Sequence, residues 1–322
     1  MIPVDNSSSF GHYEPSFIVK IIIYITRNIG TNWFSKRIIF LLRKIAIFFS
    51  KDCIDTNLFN AKLRLYTKGN VSEKRALFSP QIFEKDERDF IKDKCQDNSV
   101  FIDIGSNIGL YSFSVGSVYK KFKNTKIFSI EPHPLLFQRL VYNAMQNTDI
   151  PIYPREMALM EKSGQFKLDT PDENLGQGIV SESGEHNVIA KNLIDFINDE
   201  NIKNISAMKI DVEGNEESVI IPFIKNANRK LLPLVIIIEN NNVLWKTDLI
   251  KILEEKGYLI KKKTRMNYIL ELTEWLIILF KLLEKNLAEL KSIIVDNPTE
   301  KISRVTLNRA KKRNSLSANL RA

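Results

Sequence analysis

The chain has 322 residues, 44% of them hydrophobic, enough to bury the core of one large domain or two modest ones. Its two cysteines, Cys53 and Cys95, exclude a disulfide scaffold and a four-ligand zinc site and fit a reducing, cytoplasmic setting. Seven basic residues from Lys301 onward, with no acid among them, carry most of the formal net charge of +9, so the charge describes a solvated tail rather than a nucleic-acid partner.

Three textures divide the chain. Residues 1–75 form a helix-prone, apolar-basic extension. Two runs in it, "FIVKIIIYIT" (17–26) and "IIFLLRKIAIFF" (38–49), are shorter than the ~20 residues a membrane span needs. Lys20, Arg27, Lys36, Arg37, Arg43 and Lys44 interrupt them. No small-residue cleavage site follows, so a signal peptide is not expected. The runs read as two helices packed on the main domain, with a peripheral segment lying on a membrane surface as the alternative.

Residues 76–272 alternate strands and helices. Strands are expected at "SVFIDIG" (99–105), "KIFSIEP" (126–132), "IYPREMAL" (152–159), "GQFKLDT" (164–170), "SAMKIDV" (206–212) and "LVIIIEN" (234–240). Helices are expected at 109–122, 134–147 (with Pro134 at its start), 191–199 and 248–257, which Gly257 stops. "YLIKKK" (258–263) and "NYILEL" (267–272) suit an antiparallel pair. Runs that are apolar throughout mean a parallel sheet covered on both faces, with ligands beyond the carboxyl ends of its strands. Residues 273–322 read as a helix followed by the basic tail.

The chemistry gathers at three strand ends. Asp103 lies one residue before the exit of the first strand, and Gly105 and Gly109 follow, letting the chain turn sharply and a ligand approach the backbone. This is a nucleoside-cofactor cradle, but Asn107 replaces the second glycine of a dinucleotide fingerprint and there is no G-K-[ST] of a P-loop. Glu131 ends the next strand, where a carboxylate can accept two hydrogen bonds from a ribose diol. Asp211 ends the fourth strand and Glu213 follows it. A carboxylate there can orient an acceptor hydroxyl or take its proton, or it can cap the next helix.

"FIDIGSNIG" (101–109), "IEPHP" (130–134) and "MKIDVEGNE" (208–216) together resemble the FkbM family of S-adenosylmethionine-dependent methyltransferases, over about 76–272; "NLGQG" (174–178) resembles a further family segment. Ser106 stands where the family has alanine, and His133 where it often has asparagine. The resemblance implies the class I methyltransferase fold: a Rossmann-like α/β fold with a seven-stranded sheet whose last strand is antiparallel. It implies S-adenosylmethionine as cofactor, its methionine end against Gly105, Ser106 and Asn107, with Asp103 orienting that turn. Glu131 would hold the ribose and Ala158 would lie near the adenine. Asp211 and Glu213 would face the transferred methyl. An oxygen-only set of Asp211, Glu239 and Asn240 would suit Mg²⁺, as in metal-dependent methyltransferases of this fold, but no metal is the expectation.

The expected activity is O-methylation of a hydroxyl on a sugar, a glycan or another small polar acceptor; the oligomeric state stays open. Two alternatives remain at this stage: an NAD(P)-binding oxidoreductase, and a membrane-surface interaction protein with a degenerate methyltransferase core.

Overall fold

The computed structural model describes residues 3–171, 174–182, 184, 186–273, 293–299 and 302–307. Met1–Leu272 form one compact unit and Thr273–Ala322 a second.

The first unit opens with two helices, α1 (Phe17–Asn28) and α2 (Trp33–Phe48), the second capped by Asn32, whose side chain accepts from the Ser35 amide at 2.8 Å. Each buries one stripe: Val19, Ile22, Ile23 and Thr26 on α1, and Ser35, Ile39 and Ala46 on α2. Apolar burial of this kind contributes ~1.5–3 kcal/mol per large side chain. Neither is long and apolar enough to cross a membrane.

The extension is less helical than its sequence texture suggests, because a hairpin follows: β1 (Cys53–Leu58) and β2 (Ala61–Tyr66). Phe59 and Asn60 join them with φ of +54° and +57°, the two left-handed residues of a type I′ turn. Two short helices complete this layer, α3 (Val71–Phe78) and α4 (Lys85–Asp93).

The α/β part then runs β3 (Val100–Ile104), α5 (Leu110–Tyr119), β4 (Lys126–Ile130), α6 (Pro134–Met145) and β5 (Ile152–Arg155). After it come β6 (Ala158–Leu159), β7 (Gly164–Asp169), β8 (Ile179–Ser181) and β9 (His186–Lys191). The last segment is α7 (Leu193–Asp199), β10 (Ala207–Ile210), α8 (Glu216–Asn226), β11 (Val235–Glu239), α9 (Leu249–Glu255), β12 (Tyr258–Lys263) and β13 (Asn267–Leu272).

Seven of these strands form one sheet in the order β12-β13-β11-β10-β3-β4-β5. The five from β11 to β5 are parallel, and β13, the last in sequence, is antiparallel to both its neighbours. This is the class I methyltransferase sheet. Period-2 alternation sends Phe101, Ile127 and Ala207 into a core shared with α1, α3, α5 and α6, and Ile102, Phe128 and Met208 into a core shared with α7, α8 and α9. Both faces are therefore covered, which is why these strands are apolar throughout.

The run 152–159 is two strands rather than one. β5 joins the main sheet, while β6 joins a second sheet, ordered β6-β9-β7-β8. The expected strand at 164–170 also lies there, so it adds nothing to the main sheet.

The N-terminal layer is tied to the rest by buried polar bonds. Asn143 of α6 and Asn147, just beyond its C-terminal end, exchange hydrogen bonds with the backbone of Arg64 and Lys62, pairing the outer edge of β2. Arg64 makes a two-pronged ion pair with Asp55, and Arg139 reaches Glu73 at 2.7 Å, all four side chains being buried. In the second unit the described residues form a hairpin of β14 (Ile293–Thr299) and β15 (Ile302–Leu307). The first part of the basic tail is thus paired strand, in keeping with its β-branched Ile302, Val305 and Thr306. The helix expected at the start of 273–322 lies outside the described residues.

Candidate active site

The strands β3, β4 and β10 end at one cleft with an empty volume of ≈ 970 Å³, open mouth included. Asp103, Gly105, Ser106, Asn107, Glu131, Ala158, Asp211 and Glu213 all line it. Gly109 is the one expected site residue that does not. It lies at φ +83° at the start of α5, and a Cβ there would stand 2.6 Å from Leu140 Cδ1. Its role is to let α5 pack closely on α6.

Gly105 has two reasons to be glycine. Its φ is +74°, and a Cβ on it would lie 1.8 Å from the backbone oxygen of Asp211. The close approach follows from register: β3 and β10 run parallel with Ile104 beside Ile210, and the Asp211 amide donates to the Ile104 carbonyl. The first and third sequence motifs therefore meet backbone to backbone.

The turn after β3 is anchored to β4. The amides of Gly105 and Ser106 both donate to the Ile130 carbonyl, at 3.0 and 2.9 Å, and the Asn107 amide donates to Glu131 Oε2 at 2.7 Å. Asn107, itself left-handed at φ +54°, accepts from the Asn70 amide side chain at 2.6 Å. Above it lies the turn 174–178, where a Cβ on Gly176 would meet Asn107 Nδ2 at 2.7 Å. Asp103 does not touch the turn amides. One of its oxygens accepts from Ser112 on α5; the other, like Ser106 Oγ, is buried without a hydrogen-bond partner.

Glu131 is buried, and its second oxygen accepts from the His133 amide at 2.8 Å. Burial pushes its carboxyl up to about 7 against these two hydrogen bonds. His133 caps α6 through Nδ1, which accepts from the Leu135 amide, and burial holds its imidazole down at about 4. Ala158 is buried in the cleft wall but stands on β6, in the second sheet.

On the opposite side, Asp211 accepts a 2.6 Å ion pair from Lys209, whose side chain is buried and stands 4.8 Å from the ring of Tyr111. Neighbouring carboxylates of Asp211, Asp103 and Glu84 raise the Lys209 ammonium against the cost of burial. Asp211 therefore caps no helix. The turn at Gly214 is held by Glu216, which accepts from the Gly214 amide at 3.0 Å, from Asn241 and from Trp245. Glu213 is left out of that scaffold. It has φ +51°, and among the described residues its carboxylate accepts no hydrogen bond. Burial, then the charges of Asp211 and Glu216, push it up to about 7. Glu239 rises to about 8 through burial, then Asp211 and Glu213, and accepts from Asn241. Among the described residues no three His, Cys, Asp or Glu are grouped to hold a metal ion.

Among the further lining residues that sequence reasoning missed are Ser72, Phe83, Glu84 and Lys209. Ser72, Phe83 and Glu84 come from the N-terminal layer, and Glu84 bonds Tyr111. Only the tertiary packing brings that layer to the strand ends. Lys209 did carry a signal, a lone cation in the middle of an apolar strand run two residues before an acid.

Residues 103–260 match the family model of the methyltransferase FkbM domain. Among solved structures the chain is similar to methyltransferase FkbM from Methylobacillus flagellatus, at 16% identity over 62% of this chain and 54% of that one, TM-score 0.38. It is likewise similar to precorrin-6y C5,15-methyltransferase from Geobacter metallireducens, at 16% identity over 57% of this chain and 87% of that one, TM-score 0.35. No curated protein matches the chain by sequence. The segment 103–260, whose three motifs build the cleft, is thus an FkbM methyltransferase domain by its match to the family model.

Proposed function

We propose that the cleft binds S-adenosylmethionine and that the protein methylates a hydroxyl oxygen of a sugar, glycan or other small polar acceptor. The observation that carries the cofactor reading is the state of the turn amides. A dinucleotide's pyrophosphate needs N–H groups at the helix entrance. Here those of Gly105, Ser106 and Asn107 are committed to Ile130 and Glu131. The cleft is lined instead by the carboxylates of Glu84, Asp103, Glu131, Asp211 and Glu213, with Lys209 as the buried cation. That charge suits a cationic ligand carrying a sulfonium and an ammonium. The unpartnered oxygens of Asp103 and Ser106 are further acceptors that such a ligand would satisfy.

When bound, the cofactor supplies a methyl group on positively charged sulfur, open to in-line attack by oxygen. Glu131 would hold the ribose diol, and the left-handed turn at Gly105 would let the cofactor lie against the backbone. Asp211, oriented by Lys209, would accept a hydrogen bond from the acceptor hydroxyl. Glu213, with its carboxyl near 7, is the group suited to take the hydroxyl proton. Its left-handed backbone costs of order 1 kcal/mol, and such strain recurs at reacting positions.

Calorimetric titration of the full chain with S-adenosylmethionine and with NAD⁺, followed by methyl-label transfer to a panel of glycans, tests the reading. Tight binding of the sulfonium compound with label in an ether-linked product is expected. Binding of NAD⁺ alone overturns it.

A further inference from the structure

The outward faces of α1 and α2 are strongly apolar. Phe17, Tyr24, Trp33, Phe34, Leu41 and Phe48 are between 60% and 81% exposed, while the opposite stripes of the same helices lie in the core. An exposed patch of this kind marks an interaction surface. Its charge says which kind. From Phe17 to Lys51 the chain has seven basic residues and no acidic one. Arg27 is committed to the Leu77 and Asn57 carbonyls, and Lys20 pairs with Glu14. Lys36, Arg37, Lys44 and Lys51 remain exposed beside the apolar face, with Arg43 half-buried.

The cations sit on the aromatics themselves. The Arg37 guanidinium is 4.0 Å from the Trp33 ring centroid, and Lys44 Nζ is 4.7 Å from that of Phe40. Apolar side chains that enter an acyl boundary, edged by cations at headgroup level and an interfacial Trp, are the physical requirements of a surface-lying helix pair. A protein partner's apolar face would satisfy the aromatics and leave these cations without counter-charges. Twelve and sixteen residues of helix span about 18 and 24 Å at 1.5 Å per residue, short of the ~30 Å hydrocarbon layer.

We infer that the exposed face of α1 and α2 docks the protein flat on an anionic lipid bilayer.

The test uses the full chain and surface substitutions, because α1 and α2 are also core elements and deleting them would unfold the protein. Flotation is measured with vesicles of phosphatidylcholine alone and with a third phosphatidylglycerol, at low and high salt. Binding to the anionic vesicles is expected, weakened by salt. The variant Phe34→Ser/Leu41→Ser/Phe48→Ser should lose at least tenfold in vesicle affinity with its melting temperature unchanged. The variant Lys36→Gln/Arg37→Gln/Lys44→Gln should lose the preference for anionic lipid. No flotation of the parent chain overturns the proposal. So does a serine variant that floats like the parent, or one that turns a parent dimer into a monomer without any vesicle binding, which would make the face a contact between copies.

Discussion

The two sides of the cleft are both built from carboxylates at strand ends, yet they are held in opposite ways. On the β3–β4 side the backbone turn and its acid are fastened: the amides of residues 105–107 reach Ile130 and Glu131, and Glu131 also takes the His133 amide. On the β10–β11 side Glu216 carries the scaffold and Glu213 is left unfastened, with a strained φ and a carboxyl near 7. A rigid half suits recognition of an invariant cofactor. A half with a titrating, loosely held acid suits proton transfer to and from a changing acceptor.

The sharpest way to break this contrast is to strike where the two sides touch. Gly105→Ala places a methyl group 1.8 Å from the Asp211 backbone oxygen at φ +74°, and backbone cannot move aside as a side chain can. It should destabilise the fold by more than about 4 kcal/mol, or prevent soluble accumulation. Gly109→Ala, at φ +83°, meets side-chain atoms of Leu140 and the Phe113 ring rather than backbone and should cost about 1–3 kcal/mol in denaturant melts. Equal costs would show that the backbone contact is not what requires Gly105.

Next in size is the chemistry. Glu213→Gln should leave S-adenosylmethionine affinity within about twofold and lower turnover by ~10²–10⁴, erasing the limb of the pH–rate profile near 7. Asp211→Asn should also lower turnover but keep that limb, moved to lower pH by loss of the Asp211 charge. A Glu213→Gln enzyme with parental turnover would remove this residue from proton transfer. On the fastened side, Glu131→Ala should weaken S-adenosylmethionine binding by about 1–3 kcal/mol in calorimetry, through loss of charged hydrogen bonds to the ribose and of the anchor on Asn107. Unchanged affinity would refute the ribose assignment.

The smallest effect is a pH dependence shared by both sides. Glu131, Glu213 and Glu239 have folded values of about 7, 7 and 8, above the ordinary 4.5. Between pH 4.5 and these values the folded state binds more protons than the unfolded one, so stability falls as pH rises. It levels off above about pH 8. The ligand-free protein should therefore melt at a lower temperature at pH 8 than at pH 5.5. A cationic cofactor favours the ionised carboxylates, so its stabilising shift should grow over the same window. A melting temperature that rises from pH 5.5 to 8 in the absence of ligand would contradict the burial of these acids.

By itself the amino-acid sequence determined the parallel sheet, the antiparallel closing pair and the three strand ends that carry Asp103, Glu131 and Asp211. These follow from local pattern: apolar runs of strand length, glycine and proline stops, and acids placed where a strand gives out. It could not show the I′ turn at Phe59–Asn60, whose residues lack the usual glycine, nor that residues 152–159 divide between two sheets, since periodicity does not record a strand's partner. The roles within the cleft were decided by tertiary structure alone. Gly105 answers to the carbonyl of a residue 106 positions away, Asn107 to Asn70, and Glu84 to Tyr111. The values of Glu131 and Glu213 near 7 come from burial and from neighbouring charges that the fold assembles. Chain-local chemistry names the groups; the low dielectric and the neighbours that set their protonation exist only once the layers have packed.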